Sequence, residues 1–210
     1  MESVQSIINN SLSDISAGEI FFPTDFRGRG SQAAIKMALS RAVRSGHIQR
    51  LAQGIYFVPF IDPVLGELTP SPEAVAEQLA EREKVRIRPA GSFALHKLGL
   101  TTQVPTRLVY LTDGHPRKLK IGKASVEFKA TTPKKMSLSG KISGPLILAL
   151  ESLELDKIDP HTEKRIIHLL QLENQALLTQ DLKLAPGKIY DYLVRLLKQI
   201  PNDRMVTTNA

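Results

Sequence analysis

Within its first 58 residues the chain switches repeatedly between helical spacing and short apolar runs, with a turn signal at each switch. Val4, Ile7, Ile8, Leu12 and Ile15 recur at three and four residues, as on one face of a helix, and Ala17-Gly18 offers its stop. Ile20-Phe21-Phe22 then reads as a strand closed by Pro23, and Thr24 or Asp25 can cap a short helix anchored by Phe26. Gly28 and Gly30 break that helix. Ser31 is a good N-cap for a longer one ending near Ser45-Gly46. Finally Ile48–Leu51 and Ile55–Val58 flank Ala52-Gln53-Gly54, a hairpin signature. Helix, strand, short helix, longer helix and hairpin, in this order, predict a winged helix-turn-helix over residues 1–62.

The Pro- and Gly-rich stretch Pro59–Pro72 marks the expected domain boundary. Beyond it a second, α+β domain is expected over residues 68–200. Ser71-Pro72 starts a helix through Val75 and Leu79, Val85–Arg88 reads as a strand, and Ser92–Leu98 as a short helix stopped by Gly99. Arg107–Thr112, Lys118–Ile121 and Ala124–Ala130 read as a small antiparallel meander turning at Asp113-Gly114 and Gly122-Lys123. After a loop near Lys134–Gly144 the pattern is helical, most clearly where Ile189, Tyr192, Leu193, Leu196, Leu197 and Ile200 repeat at three and four residues. Residues 201–210 read as a polar, flexible tail.

Charge adds a functional expectation. Lys and Arg total 28 against 21 Asp and Glu, a net +7 that favours polyanionic partners without choosing among them. The excess lies in two blocks. Phe26–Gly54 holds six basic residues and no acid, and Arg86–Lys141 holds twelve against Asp113 and Glu127. On the helix after Ser31, an apolar face of Ile35, Ala38, Leu39 and Ala42 opposes one carrying Ala33, Lys36, Met37, Ser40, Arg41 and Arg44. Such a helix fits a major groove about 12 Å wide, where Arg can pair with guanine and Ser or Lys can reach base edges or phosphates. Arg27 and Arg29, set among Gly28 and Gly30, can bring the backbone close to a phosphate. The first helical N–H groups, at Ser31 and Gln32, point the same way. Arg50 and Gln53 would extend the footprint from the hairpin. A basic helix face alone is more often a solvated surface, and some winged helices bind proteins. Element order, the acid-free stretch and the basic hairpin together favour double-stranded DNA. A second basic surface of Arg117, Lys118, Lys120, Lys123, Lys129, Lys134, Lys135 and Lys141 can extend that footprint or face a partner, or can be a Lys-blunted sheet edge.

The segments Gly54–Pro59, Gly91–Leu100, Gln103–Pro105, Val109–Gly114, Lys120–Gly122 and Glu127–Lys129, taken in order, resemble the AbiE-type (type IV, AbiEi-like) antitoxin family over about residues 15–155. The resemblance implies an N-terminal winged helix that represses its own operon by binding promoter repeats. It also implies a C-terminal domain that counters a nucleotidyltransferase-like toxin without needing a stable complex. The family's DNA contacts map onto the helix and hairpin positions named above. No catalytic motif is available to carry over, and no toxin-neutralising residue can be singled out.

Enzymatic chemistry is not expected. His161 and His168 sit two helical turns apart, too far to share a metal, and Asp113-Gly114-His115-Pro116 reads as a turn before an acid–base pair. No nucleophile elbow, metal-binding helix or paired carboxylates occur. Neither a metal nor a cofactor is therefore expected. Absent cysteine, a signal-like start and a long apolar run, a cytoplasmic protein that avoids membranes is expected. The expected role is an autorepressing antitoxin of unassigned oligomeric state. The alternatives are a winged-helix regulator whose second domain senses a ligand or partner unrelated to a toxin, and a nucleic-acid-processing accessory enzyme.

Overall fold

A computed structural model describes residues 3–200 of the chain, and the tail expected over 201–210 lies outside them. By packing, the chain divides into two units. Among the described residues, one runs to Arg82 and includes Leu119–Ser125; the other takes Glu83–Lys118 and Val126–Ile200. The fold is mixed α+β with small antiparallel sheets.

In the first unit, helix α1 (Val4–Ser13) opens where Ser3 Oγ accepts the Ser6 N–H at 3.2 Å, and it buries Ile8 and Leu12. After the two-residue strand β1 (Ile20–Phe21), Pro23–Phe26 makes a tight 3-10 turn, held where Asp25 accepts the Phe22 N–H at 2.7 Å. Helix α2 (Gln32–Arg44) begins where Ser31 Oγ accepts the Ala34 N–H at 3.2 Å, satisfying one of the helix's orphan donors. It ends at Ser45 and Gly46, whose φ of +78° suits glycine.

Strands β2 (Gln49–Ala52) and β3 (Ile55–Phe57) close through Gln53-Gly54, giving a sheet in the order β1-β3-β2. The central strand is buried on both faces, so Ile55-Tyr56-Phe57 is apolar without alternation. Phe21 joins the layers: it meets Phe26 edge-on and stacks on Tyr56, both at 5.9 Å between ring centres. Ile35, Ala38, Leu39 and Ala42 of α2 pack into this core with Ile8 and Leu12.

The stretch expected to mark a domain boundary carries structure of its own. Strands β4 (Phe60–Asp62) and β5 (Gly66–Leu68) pair antiparallel, and Asp62 accepts the Val64 and Leu65 N–H groups at 2.8 Å each. Those bonds hold its carboxyl below the usual range. Helix α3 (Pro72–Glu83) is capped by Ser71, as its sequence predicts. At its end Arg82 lies 4.2 Å above the Phe22 ring and bonds to Asp25 and Thr24 of the 3-10 turn.

Strands β6 (Ile87–Ala90), β7 (Arg107–Thr112), β8 (Arg117–Ile121) and β9 (Ala124–Ala130) form a sheet ordered β6-β7-β9-β8. The expected sequential meander is not what forms, because β9 lies between β7 and β8. The physical reason is burial. Val126 and Phe128 are fully enclosed, with Phe128 stacked on Tyr110 of β7, whereas Lys118 and Lys120 leave β8 suited only to an edge. Glu127 of β9 is correspondingly held from both sides, by Arg107 of β7 and Lys118 of β8.

Helix α4 (Gly91–Lys97) covers the sheet through Phe93, 5.2 Å from Tyr110. A short helix α5 (Pro133–Met136) sits in the expected loop. Helix α6 (Ser143–Leu150) is enclosed all round, which is why it carries no amphipathic period. Helices α7 (Pro160–Leu172), α8 (Gln175–Leu184) and α9 (Gly187–Leu197) share one core with it, with α9 burying Ile189, Tyr192, Leu193 and Leu196 as its spacing predicts.

Candidate functional site

The six residues proposed on α2 and at its cap (Ser31, Gln32, Lys36, Ser40, Arg41 and Arg44) are all exposed, while the opposite face is buried. Helical geometry sorts that face into two rows, Lys36–Ser40–Arg44 and Ala33–Met37–Arg41, each spaced by one turn. Arg41 is partly pre-positioned: its guanidinium reaches Gln5 Oε1 of α1 and Met37 Sδ, both at 3.4 Å.

Arg27 and Arg29 are exposed in the loop before α2, and Arg29 donates to Ser11 of α1. The two glycines beside them differ. Gly28, at φ +87°, has open space where a Cβ would stand, whereas a Cβ at Gly30 would come within 2.8 Å of Val4. Gly30 therefore serves packing against α1, and only Gly28 leaves room for an outside group.

On the hairpin, Arg50 and Gln53 are exposed, and Arg50 lies along the edge strand with its Nε donating to the Ala52 carbonyl at 3.2 Å. Gln49 beside it donates to Glu67 of β5. The acid-free stretch thus acquires an acid in space that it lacks in sequence.

The second basic block is less uniform than its sequence suggests. Arg117 is gripped by both oxygens of Glu83, at 2.5 and 2.9 Å, and lies 5.1 Å from the Phe128 ring centre. Lys118 pairs with Glu127 and Lys135 with Glu151. The Arg107 and Lys118 partners hold the Glu127 carboxyl below its usual range. Lys120, Lys123, Lys129, Lys134 and Lys141 are exposed and enter no ion pair among the described residues.

Asp113 does not serve His115. Its carboxylate accepts the Arg86 Nε at 2.8 Å and the Arg86 backbone N–H at 2.7 Å, and this pairing holds it below the usual carboxylate range. Among the described residues no cluster of three or more His, Asp or Glu could hold a metal ion, and no helix is long and apolar enough to cross a membrane.

Sequence reasoning missed a buried polar knot in the second unit. Asp181 of α8, fully buried, accepts the Ser139 N–H at 2.7 Å, the Gly140 N–H at 2.9 Å and the Ser143 hydroxyl at 2.7 Å. Glu173 accepts the Ile142 and Ser143 N–H groups at 2.7 and 2.8 Å. Burial works to raise the Glu173 carboxyl, but these backbone bonds overcome it and hold it low. Nearby, burial pushes the Arg88 guanidinium down while the Asp181 carboxylate opposes the shift. With their oxygens turned on the protein's own donors, the two carboxylates clamp the loop that starts α6. The one visible signal was the glycine spacing Ser139-Gly140 and Ser143-Gly144.

An open groove of about 1270 Å³ lies among α6, α7 and α9, lined in part by Leu153, Ile158, Glu163, Tyr192 and Arg195. Its Glu163 pairs with Arg195 at 2.7 Å.

Taken together, these features define a two-unit α+β chain whose first unit displays an acid-free basic helix. Residues 7–178 match the family of unknown function DUF6088, and the chain belongs to that family. No curated protein matches it.

Proposed function

We propose that the first unit is a winged helix-turn-helix that binds double-stranded DNA, with α2 in the major groove and the β2–β3 hairpin as the wing. The observation that carries this is the two-faced α2. Its buried side is locked to α1 and the sheet, and its exposed side offers Lys36, Ser40, Arg41 and Arg44 with no acid on the helix. Helix-presented Arg and Lys facing solvent suit guanine edges and phosphates. Support for an antitoxin role comes from the segments that resemble the AbiE-type family. On this basis the chain represses its own operon and the second unit counters a nucleotidyltransferase-like toxin.

The test is fluorescence anisotropy of the purified chain on a duplex from upstream of its own gene, against a scrambled duplex, at two salt concentrations. Preferential binding that weakens steeply with salt is expected. Salt-insensitive affinity refutes the DNA-binding role, and equal salt-dependent affinity for both duplexes refutes sequence-specific repression. The antitoxin role is tested by co-expression with the adjacent gene; growth rescue is expected, and its absence favours a regulator. The groove beside Tyr192 favours that second possibility, with a small ligand sensed there.

A further inference from the structure

Among the described residues of the first unit, large apolar side chains are exposed in two places: along the β4–β5 hairpin, and singly at Met37 on α2. Met37 is 55 % exposed, one helical turn from both Ala33 and Arg41. Its thioether lies 3.4 Å from an Arg41 nitrogen whose guanidinium also reaches Gln5, so Met37 and Arg41 stand side by side on the same row. In a duplex groove such a side chain beside Arg41 has an apolar partner, the C5-methyl of thymine that the major groove displays.

We propose that Met37 is a specificity residue that seats a thymine methyl, next to the guanine taken by Arg41. This inference rests on α2 being the base-contacting helix. Met37 and Arg41 lie about 6 Å apart along the helix axis, so the thymine falls within about two base-pair steps of ~3.4 Å from that guanine. The unbranched, polarisable methionine side chain can follow the methyl without demanding one rotamer. Ala33, exposed one turn earlier on the same row, leaves space for a second base to approach.

The experiment uses the full chain and a duplex library with a random core. The selected duplex is remade with deoxyuridine, which lacks only the methyl, at each thymine in turn. One replacement is expected to weaken wild-type binding about fourfold, the ratio matching about 0.8 kcal/mol for a buried methyl-sized group. In Met37→Ala that penalty should vanish, and in Met37→Leu, which keeps the apolar bulk, it should persist. Met37 is exposed, so both variants should melt as the wild type does. A deoxyuridine penalty of equal size in wild type and Met37→Ala, or none at any position, overturns the assignment and leaves DNA binding standing. If selection returns no duplex bound in a salt-dependent way, the DNA-binding proposal fails and the Met37 assignment with it.

Discussion

Replacing Asp181 by Asn tests whether the buried knot clamps the start of α6. The change is almost isosteric, but it turns one acceptor oxygen into a donor amide. Asp181 uses one oxygen for Ser139 N–H and the other for Gly140 N–H and the Ser143 hydroxyl. Whichever way the new amide turns, one backbone N–H faces another donor. Leaving one buried donor unpaired costs about 1–3 kcal/mol. Arg88 also loses the countercharge that offsets its burial, so about 2–3 kcal/mol is expected. Asp181→Ala unpairs both N–H groups and should cost about 3–5 kcal/mol, a large share of a typical domain's 5–15 kcal/mol. The loop is closely packed there: a methyl on Gly140 would collide with Ser143 Oγ. Two units can unfold separately, so a local probe is needed alongside urea titration. Hydrogen exchange of the peptide spanning 137–144 supplies it. Both variants should accelerate exchange there, while Lys183→Ala, exposed on the same helix, should stay within about 0.5 kcal/mol of wild type. If Asp181→Asn matches wild type in both measurements, the clamp is not a stabilising element.

Arg41→Ala or Arg44→Ala should each weaken specific duplex binding by about 1–3 kcal/mol if that side chain reads a base, whereas Arg50→Ala should lower affinity for every sequence and reduce the salt slope by about 1. Anisotropy across a salt series separates these outcomes, and unchanged affinity in both helix variants removes α2 from the interface. Leu39, fully buried beneath that face, should cost about 2–5 kcal/mol as Leu39→Ala by thermal melting. Glu173 has a folded-state pKa below its unfolded value, so its stabilisation is complete above the ordinary glutamate range near ~4.3 and is lost as pH falls through the depressed value. Urea midpoints of Glu173→Gln should therefore lie below wild type at neutral pH and converge with it in acid; a constant gap refutes the linkage.

Local chemistry made much of this architecture legible in advance. Ser31 as a cap, the apolar face of α2, the continuous run of β3 and the three-four repeat of α9 all depend on neighbours within a few residues, where backbone geometry alone relates them. The exposed basic face of α2 was legible for the same reason. What depended on distant partners was not. The pairing of β9 with β7 follows from which strand is buried, and the hairpin within Pro59–Pro72 depends on an Asp62 turn in a stretch that composition marks as a domain boundary. Periodicity treats Asp181 as one more polar residue on a helix; only a loop some forty residues earlier, with its N–H groups converging, makes it core. Likewise the lysines and arginines of β8 and its surroundings read as one basic surface, until Glu83, Glu127 and Glu151 arrive from elsewhere to pair with three of them. Secondary structure and the charge of one helix are set by local sterics and spacing. Strand order, buried polar pairing and the free or bound state of a charge are set by which chain segments meet, and only the folded chain decides that.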